Sequence, residues 1–165
     1  MSTKKLTALS MLTAAALIIF IIESQLPPLA PIPGIKPGLA NVITLVALAR
    51  FGGREAFIVL MLRIVLGSML VGQPISFMYG MAGGILCFLI MWAMWVPVKI
   101  FKDRIWVVSI FGAVFHNIGQ IAAAVIITGT WQIVGYLPVL TVSGVITGLF
   151  TGFTAQFVIK RLGGG

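Results

Sequence analysis

The sequence predicts an all-α membrane protein: a bundle of six transmembrane helices with both termini on the cytoplasmic side. Three observations lead there. Of 165 residues, 60% are hydrophobic and 8% charged, whereas a soluble domain carries about 25% charged residues. The mean hydropathy of +1.17 leaves too little polar surface to face water. The apolar runs also lack the period-two alternation of barrel strands, and in lipid the other way to satisfy every backbone group is a helix.

A helix crosses the hydrocarbon core in about 20 residues. Six spans are expected, at residues 6–26, 37–51, 56–71, 75–98, 106–128 and 137–159, in one membrane domain covering 1–165. The first follows Lys4 and Lys5 and is too long for the apolar core of a cleaved signal, so it is read as retained. The second and third are short, because Arg50, Gly52, Gly53, Arg54 and Glu55 force a break between them. Span four carries a close-packing patch at Gly80, Gly83 and Gly84. Span five holds "GAVFHNIGQIAAA", and span six carries Gly144, Gly148 and Gly152 at i, i+4, i+8. That last spacing is a double GxxxG ridge for close helix packing.

The basic residues fix the orientation. Lys4, Lys5, Arg50, Arg54, Lys99, Lys102, Arg104, Lys160 and Arg161 all fall on one side when six spans are drawn. Positive charge marks the cytoplasmic side. Trp92, Trp95 and Trp106 fall near that interface and Trp131 near the opposite one, as an aromatic belt requires. The net charge of +8 is therefore topology and not a nucleic-acid surface. The chain is expected in a bacterial-type cell membrane, in contact with lipid.

Several chemistries are excluded. The lone Cys87 forms no internal disulfide. No metal set of Cys, His and carboxylate has the right spacing, and no cofactor is implied. The three acidic residues, Glu23, Glu55 and Asp103, form no sequence pair. No P-loop is present, so ATP hydrolysis by that route is absent.

Polar groups within the spans mark the candidate site. An arginine at the centre of a membrane helix costs about 2.5–3.5 kcal/mol on insertion scales. Arg63 lies well inside span three and either pairs internally, with Glu23 the candidate, or meets a ligand. His116 and Gln120 are four apart and share a helix face, while Asn117 points about 100° away. These three either bond between helices or contact a ligand. Asn41 lies one turn into span two, Glu23 near the outer end of span one, and Lys36 in the outer loop. That loop, "IPGIKPGLANV", carries Pro33, Gly34 and Pro37 and directly follows Pro31; it reads either as a stiff lid over an outward-facing cavity of ligand size, with Asn41 at its mouth, or as an ordinary rigid connection. On span one, Ser10, Ala14 and Ala15 form a small-residue face suited to close contact with another helix.

The stretch "PGIKPGLANVITLVALARFGGREAFIVLMLRIVLGSMLVGQPISFMYGMAGG" resembles the Gx transporter family, also labelled heptaprenyl diphosphate synthase component I. Its most specific parts are 34–42, 63–67 and 80–84. Pro37 stands where a leucine-like residue is more usual. More distantly the layout resembles the S components of energy-coupling factor importers. That resemblance implies a six-helix substrate-binding subunit with a loop that closes over an outer site. It also implies a transmembrane coupling subunit with cytoplasmic ATPases, which Ser10, Ala14 and Ala15 would contact.

The function expected is capture of a small polar or anionic molecule from the outer face. The alternative is a non-catalytic membrane accessory subunit for heptaprenyl diphosphate or quinone synthesis, with a lateral groove open to lipid. Prenyl synthases that elongate chains use paired aspartate-rich motifs with magnesium, and this sequence has one aspartate, Asp103, so the chain is not read as an enzyme. A third reading is a small autonomous carrier, or part of an electron-transfer or flavin-trafficking assembly.

Overall fold

The computed structural model describes residues 2–26, 35–98 and 104–162. These hold six α-helices: α1 (Thr3–Ser24), α2 (Asn41–Phe51), α3 (Gly53–Val71), α4 (Pro74–Val98), α5 (Ile105–Thr128) and α6 (Leu137–Leu162). A 3-10 turn, Trp131–Tyr136, leads into α6. No strand occurs among the described residues.

Local chemistry sets the boundaries. The Ser2 hydroxyl accepts from the Lys5 amide and caps α1, so this helix starts ahead of the first apolar residue. Gly52, at φ +99°, ends α2 and Gly53 begins α3, placing the break where the glycine pair and its charged neighbours predicted it. The Lys5 ammonium pairs with the Glu55 carboxylate at 2.5 Å and ties the start of α1 to the start of α3. Gly72 and Gly129 cap α3 and α5 in the left-handed conformation, which glycine adopts without a Cβ penalty.

One boundary differs from expectation. The second span was expected from Pro37, but α2 begins at Asn41. Gly38 has φ +81°, and the amides of Asn41, Val42 and Ile43 bond back to the carbonyls of Gly38, Leu39 and Ala40. Residues 38–40 therefore form a tight turn with the i→i+3 bonding of a 3-10 helix, ahead of the α-helix proper. At 11 residues and a rise of about 1.5 Å each, α2 is roughly half the length needed to cross the hydrocarbon core. It is instead enclosed, packing against the other five helices, and Leu45, Val46, Ala47 and Leu48 are almost wholly buried.

Among the described residues four segments are long and apolar enough to cross a membrane: Thr3–Ser24, Pro74–Trp95, Ile105–Thr128 and Trp131–Arg161. The chain is a multi-pass membrane protein. Large apolar side chains such as Met11, Ile126, Ile146 and Phe150 cover its exterior, which suits a lipid solvent.

The glycines of α6 set its distance from α5. A Cβ on Gly148 or Gly152 would lie 2.6 Å from the Cα of Ile110 or Trp106, and one on Gly144 3.2 Å from that of Val114. Backbone meets backbone along the whole ridge, and Ser109 and Thr151 bond across it at 2.8 Å. Gly119 of α5 faces Ala82 of α4 just as closely, and Gly83 of α4 faces the His116 carbonyl.

Candidate functional site

The enclosed N-terminus of α2 creates the site. A helix that starts inside the bundle exposes amides with no intrahelical acceptor, and no bulk water is at hand to take them. The first three amides of α2 bond back to the carbonyls of residues 38–40, and Glu23 meets the same need for the turn just before the helix. Its Oε1 accepts from the Gly38 amide and from the Leu39 amide, the latter at 2.9 Å. The carboxylate also sits at the positive end of the α2 dipole, where an anion is favoured. Glu23 thereby clamps the loop between α1 and α2 to the end of α1.

Two cations lie in the same region. Lys36 is buried, with its ammonium 3.8 Å from the centroid of the Phe20 ring, a cation–π geometry. Phe20 fits because Gly67 of α3 has no side chain: a Cβ there would lie 2.7 Å from the ring. Arg63, one turn earlier on α3, is 4% exposed. Its Nη2 donates to Asn41 Oδ1 at 3.0 Å. Among the described residues Glu23 and Arg63 form no contact ion pair.

These groups surround a cavity of about 20 Å³, lined by Phe20, Glu23, Lys36, Gly38, Arg63, Ile64, Ser76, Gly80, His116 and Gln120. The expected cavity was of ligand size, and drug-sized molecules occupy about 300–1,000 Å³. The volume found matches one water molecule. It is small because Lys36, Phe20 and the Arg63 guanidinium are themselves folded into it. Around it, polar atoms stand without a partner: Lys36 Nζ, Arg63 Nε, Asn41 Nδ2, Ser76 Oγ, His116 Nδ1 and Gln120 Oε1. Buried polar groups are normally bonded, and five of these six atoms belong to residues that line the cavity, with the sixth, on Asn41, beside Arg63.

Of the candidate residues, Glu23, Lys36, Arg63, His116 and Gln120 thus meet at the cavity, with Asn41 held against Arg63. Asn117 lies elsewhere. Its Nδ2 donates to the Leu140 carbonyl on α6 at 2.6 Å, beside Gly144. Pro31, Pro33 and Gly34 fall outside the described residues, as do Lys99, Lys102 and Asp103, while Pro37 is half-buried in the loop. Ser10 and Ala14 are exposed on α1, and Ala15 is half-buried. Phe20 and Ser76 were not singled out from the sequence. A phenylalanine or serine in an apolar run carries no signal of its own, although Ser76 stands four residues before Gly80 on one face of α4.

Gly38 makes the approach of loop to helix possible. A Cβ there would lie 2.7 Å from Asn41 Nδ2 and 2.8 Å from His116 Cδ2, on a backbone at φ +81°. Gly38→Ala is expected to cost about 1–3 kcal/mol from the strained backbone alone and to lift the loop from α5. Thermal unfolding of the purified variant measures the loss; an unchanged Tm would contradict the tight loop seat.

A second hollow lies on the outer wall between α4 and α5. It measures about 590 Å³ and is lined by apolar residues, among them Phe77, Met81, Leu86, Gly119, Ala123 and Ile127. Gly119 opens this groove on one side of the α4–α5 contact while His116 and Gln120 face the polar cavity on the other.

No curated protein and no solved structure matches the chain. A sequence model of the family described as heptaprenyl diphosphate synthase component I matches residues 12–158. This covers α2 to α5 completely, the second half of α1 and most of α6, and so takes in every residue of the polar cavity. The chain belongs to the heptaprenyl diphosphate synthase component I family.

Proposed function

We propose that the chain is the substrate-binding membrane subunit of an ATP-driven importer, similar to the S components of energy-coupling factor systems. It captures a small polar or anionic molecule from the outer face. The observation that carries this reading is the ring of six unpartnered, buried polar atoms beneath the loop before α2. Bonding within the protein leaves these groups unsatisfied, and a ligand with matching polar atoms completes them. The site is read as closed at a cavity volume of about 20 Å³, and movement of the turn at residues 35–40 admits the substrate.

The positive-inside pattern orients the site. Both termini are cytoplasmic, so α1 ends outside and Glu23 and Lys36 belong to the outer half, with the short α2 enclosed within the bundle. The chain carries no ATP-binding motif, and energy comes from partner ATPases through a transmembrane coupling subunit. The exposed Ser10 and Ala14 on α1 provide a small-residue face for that contact. Catalysis is not part of the role.

A second reading has one observation in its favour. The groove between α4 and α5 is apolar and, at about 590 Å³, has volume for part of an isoprenoid chain, as an accessory subunit for prenyl diphosphate synthesis requires.

Extraction and mass spectrometry of small molecules from purified wild type and Arg63→Ala separate the two. A polar compound present in near-stoichiometric amount in wild type and absent from the variant supports the importer subunit. An isoprenoid retained equally by both proteins, but lost from Ala122→Trp, which fills the groove from an exposed position, favours the accessory subunit and overturns the first reading.

A further inference from the structure

We infer that the polar cavity receives a single carboxylate, so that the substrate class of this site is the monocarboxylates. The inference rests on the substrate-binding reading above and names its ligand chemistry.

The charges come first. Lys36 and Arg63 line the cavity, both nine-tenths buried or more, and the carboxylate that faces them is Glu23. Two cations against one anion leave one positive charge over in a region where isolated charge is expensive. Among the described residues Glu23 makes no contact ion pair with either cation, and its Oε1 accepts from the amides of Gly38 and Leu39. One negative charge from a ligand closes the balance. A doubly charged phosphate reverses it and leaves a buried anion over.

The hydrogen-bonding groups agree. Lys36 Nζ and Arg63 Nε are donors with no acceptor, and Asn41 Nδ2 is a third. The Ser76 hydroxyl donates as readily as it accepts, and one nitrogen of a neutral histidine carries a proton. The amide end of Gln120 that faces the cavity is interchangeable by a flip. The cradle is thus rich in donors, and an ionised carboxylate is an acceptor only, with about four lone-pair sites. A water carries no charge and offers two acceptor sites, so it leaves both the excess charge and several donors unmet.

Size restricts the group further. A cavity of about 20 Å³ takes a compact terminal group without displacing the helices. Ile64, Phe20 and the backbone of Gly80 supply the apolar part of its wall.

Anion replacement tests the assignment. Purified wild type, Lys36→Met and Arg63→Gln are unfolded thermally in detergent while sodium chloride is replaced stepwise by sodium acetate, by sodium formate, or by sodium phosphate at constant ionic strength. Wild type is expected to gain about 2 °C or more in Tm with acetate and formate, as ligand that binds only the folded state stabilises it. Both variants are expected to lose this gain. Lys36→Met keeps an apolar stem against Phe20, so it reports on the charge even where Arg63→Gln is poorly folded. A gain with phosphate that exceeds the gain with acetate, or no gain on leaving chloride, overturns the monocarboxylate class. The importer reading survives that outcome if an uncharged or phosphorylated compound stabilises wild type and not Lys36→Met. A gain with acetate of equal size in wild type and both variants overturns the cradle itself, and with it the site of the proposed function.

Discussion

Glu23→Ala is expected to destabilise the folded protein by about 3–5 kcal/mol, the range for removing one partner from a buried charge cluster. Two separate losses combine in it. The amides of Gly38 and Leu39 lose their acceptor, each at a cost of about 1–3 kcal/mol when buried. The two buried cations, Lys36 and Arg63, lose their opposing charge. Glu23→Gln separates the contributions, since the amide oxygen still accepts from both backbone groups while the charge is gone. It is expected to fall between wild type and alanine. Adding Lys36→Met to Glu23→Gln removes one of the two unopposed cations and is expected to restore part of the loss. Tm in detergent and the rate of proteinase K cleavage between α1 and α2 read the outcome. If Glu23→Ala matches wild type on both, the carboxylate does not hold the loop.

Gly148→Ala is expected to have the second large effect, about 1–3 kcal/mol, as overpacking of a filled contact does. The added methyl would lie 2.6 Å from the Ile110 Cα and 3.1 Å from the Ser109 carbonyl oxygen. Neither atom belongs to a flexible side chain, so α5 and α6 must separate. That separation weakens the bond between Ser109 and Thr151 and the bond from Asn117 to the Leu140 carbonyl. A drop in Tm of several degrees is the expected reading for a chain of this size. Gly135→Ala is the internal control. Nothing lies within 4 Å of a Cβ at that position, so the substitution is expected to be neutral or mildly stabilising through the unfolded state. Equal losses at both positions would contradict the ridge.

Which parts of this were legible in the sequence follows from how local each signal is. The pairing of His116 with Gln120 depends only on helical spacing, and both do face one cavity. The glycine ridge of α6 is local in the same sense. The divergence of Asn117 was also legible as an angle, but its acceptor, the Leu140 carbonyl, depends on the register of α5 against α6. Glu23 stood out as a carboxylate in an apolar run, and Arg63 was the natural candidate for its partner. The actual partners are backbone amides. They become available only because α2 starts late and inside the bundle, a consequence of the Gly38 turn that spacing does not reveal. Phe20 is the opposite case. Its apolar neighbours hide it in the sequence, and the Gly67 notch that seats it lies on a different helix. The cavity was expected at ligand size because only its polar lining was read. The ring of Phe20 and the stem of Lys36 fill the space that lining encloses.

A thermal-shift screen of the purified protein, with wild type beside Arg63→Ala, tests most directly whether the polar cavity is the place where a substrate is held. The panel holds vitamins, flavins, quinone precursors and prenyl diphosphates. A ligand at 100 times its Kd stabilises the folded state by about 2.7 kcal/mol. A water-soluble compound that raises the Tm of wild type and leaves Arg63→Ala unmoved is the expected result. A response confined to prenyl diphosphates and equal in both proteins would contradict it, and would place recognition away from the cavity beneath the loop.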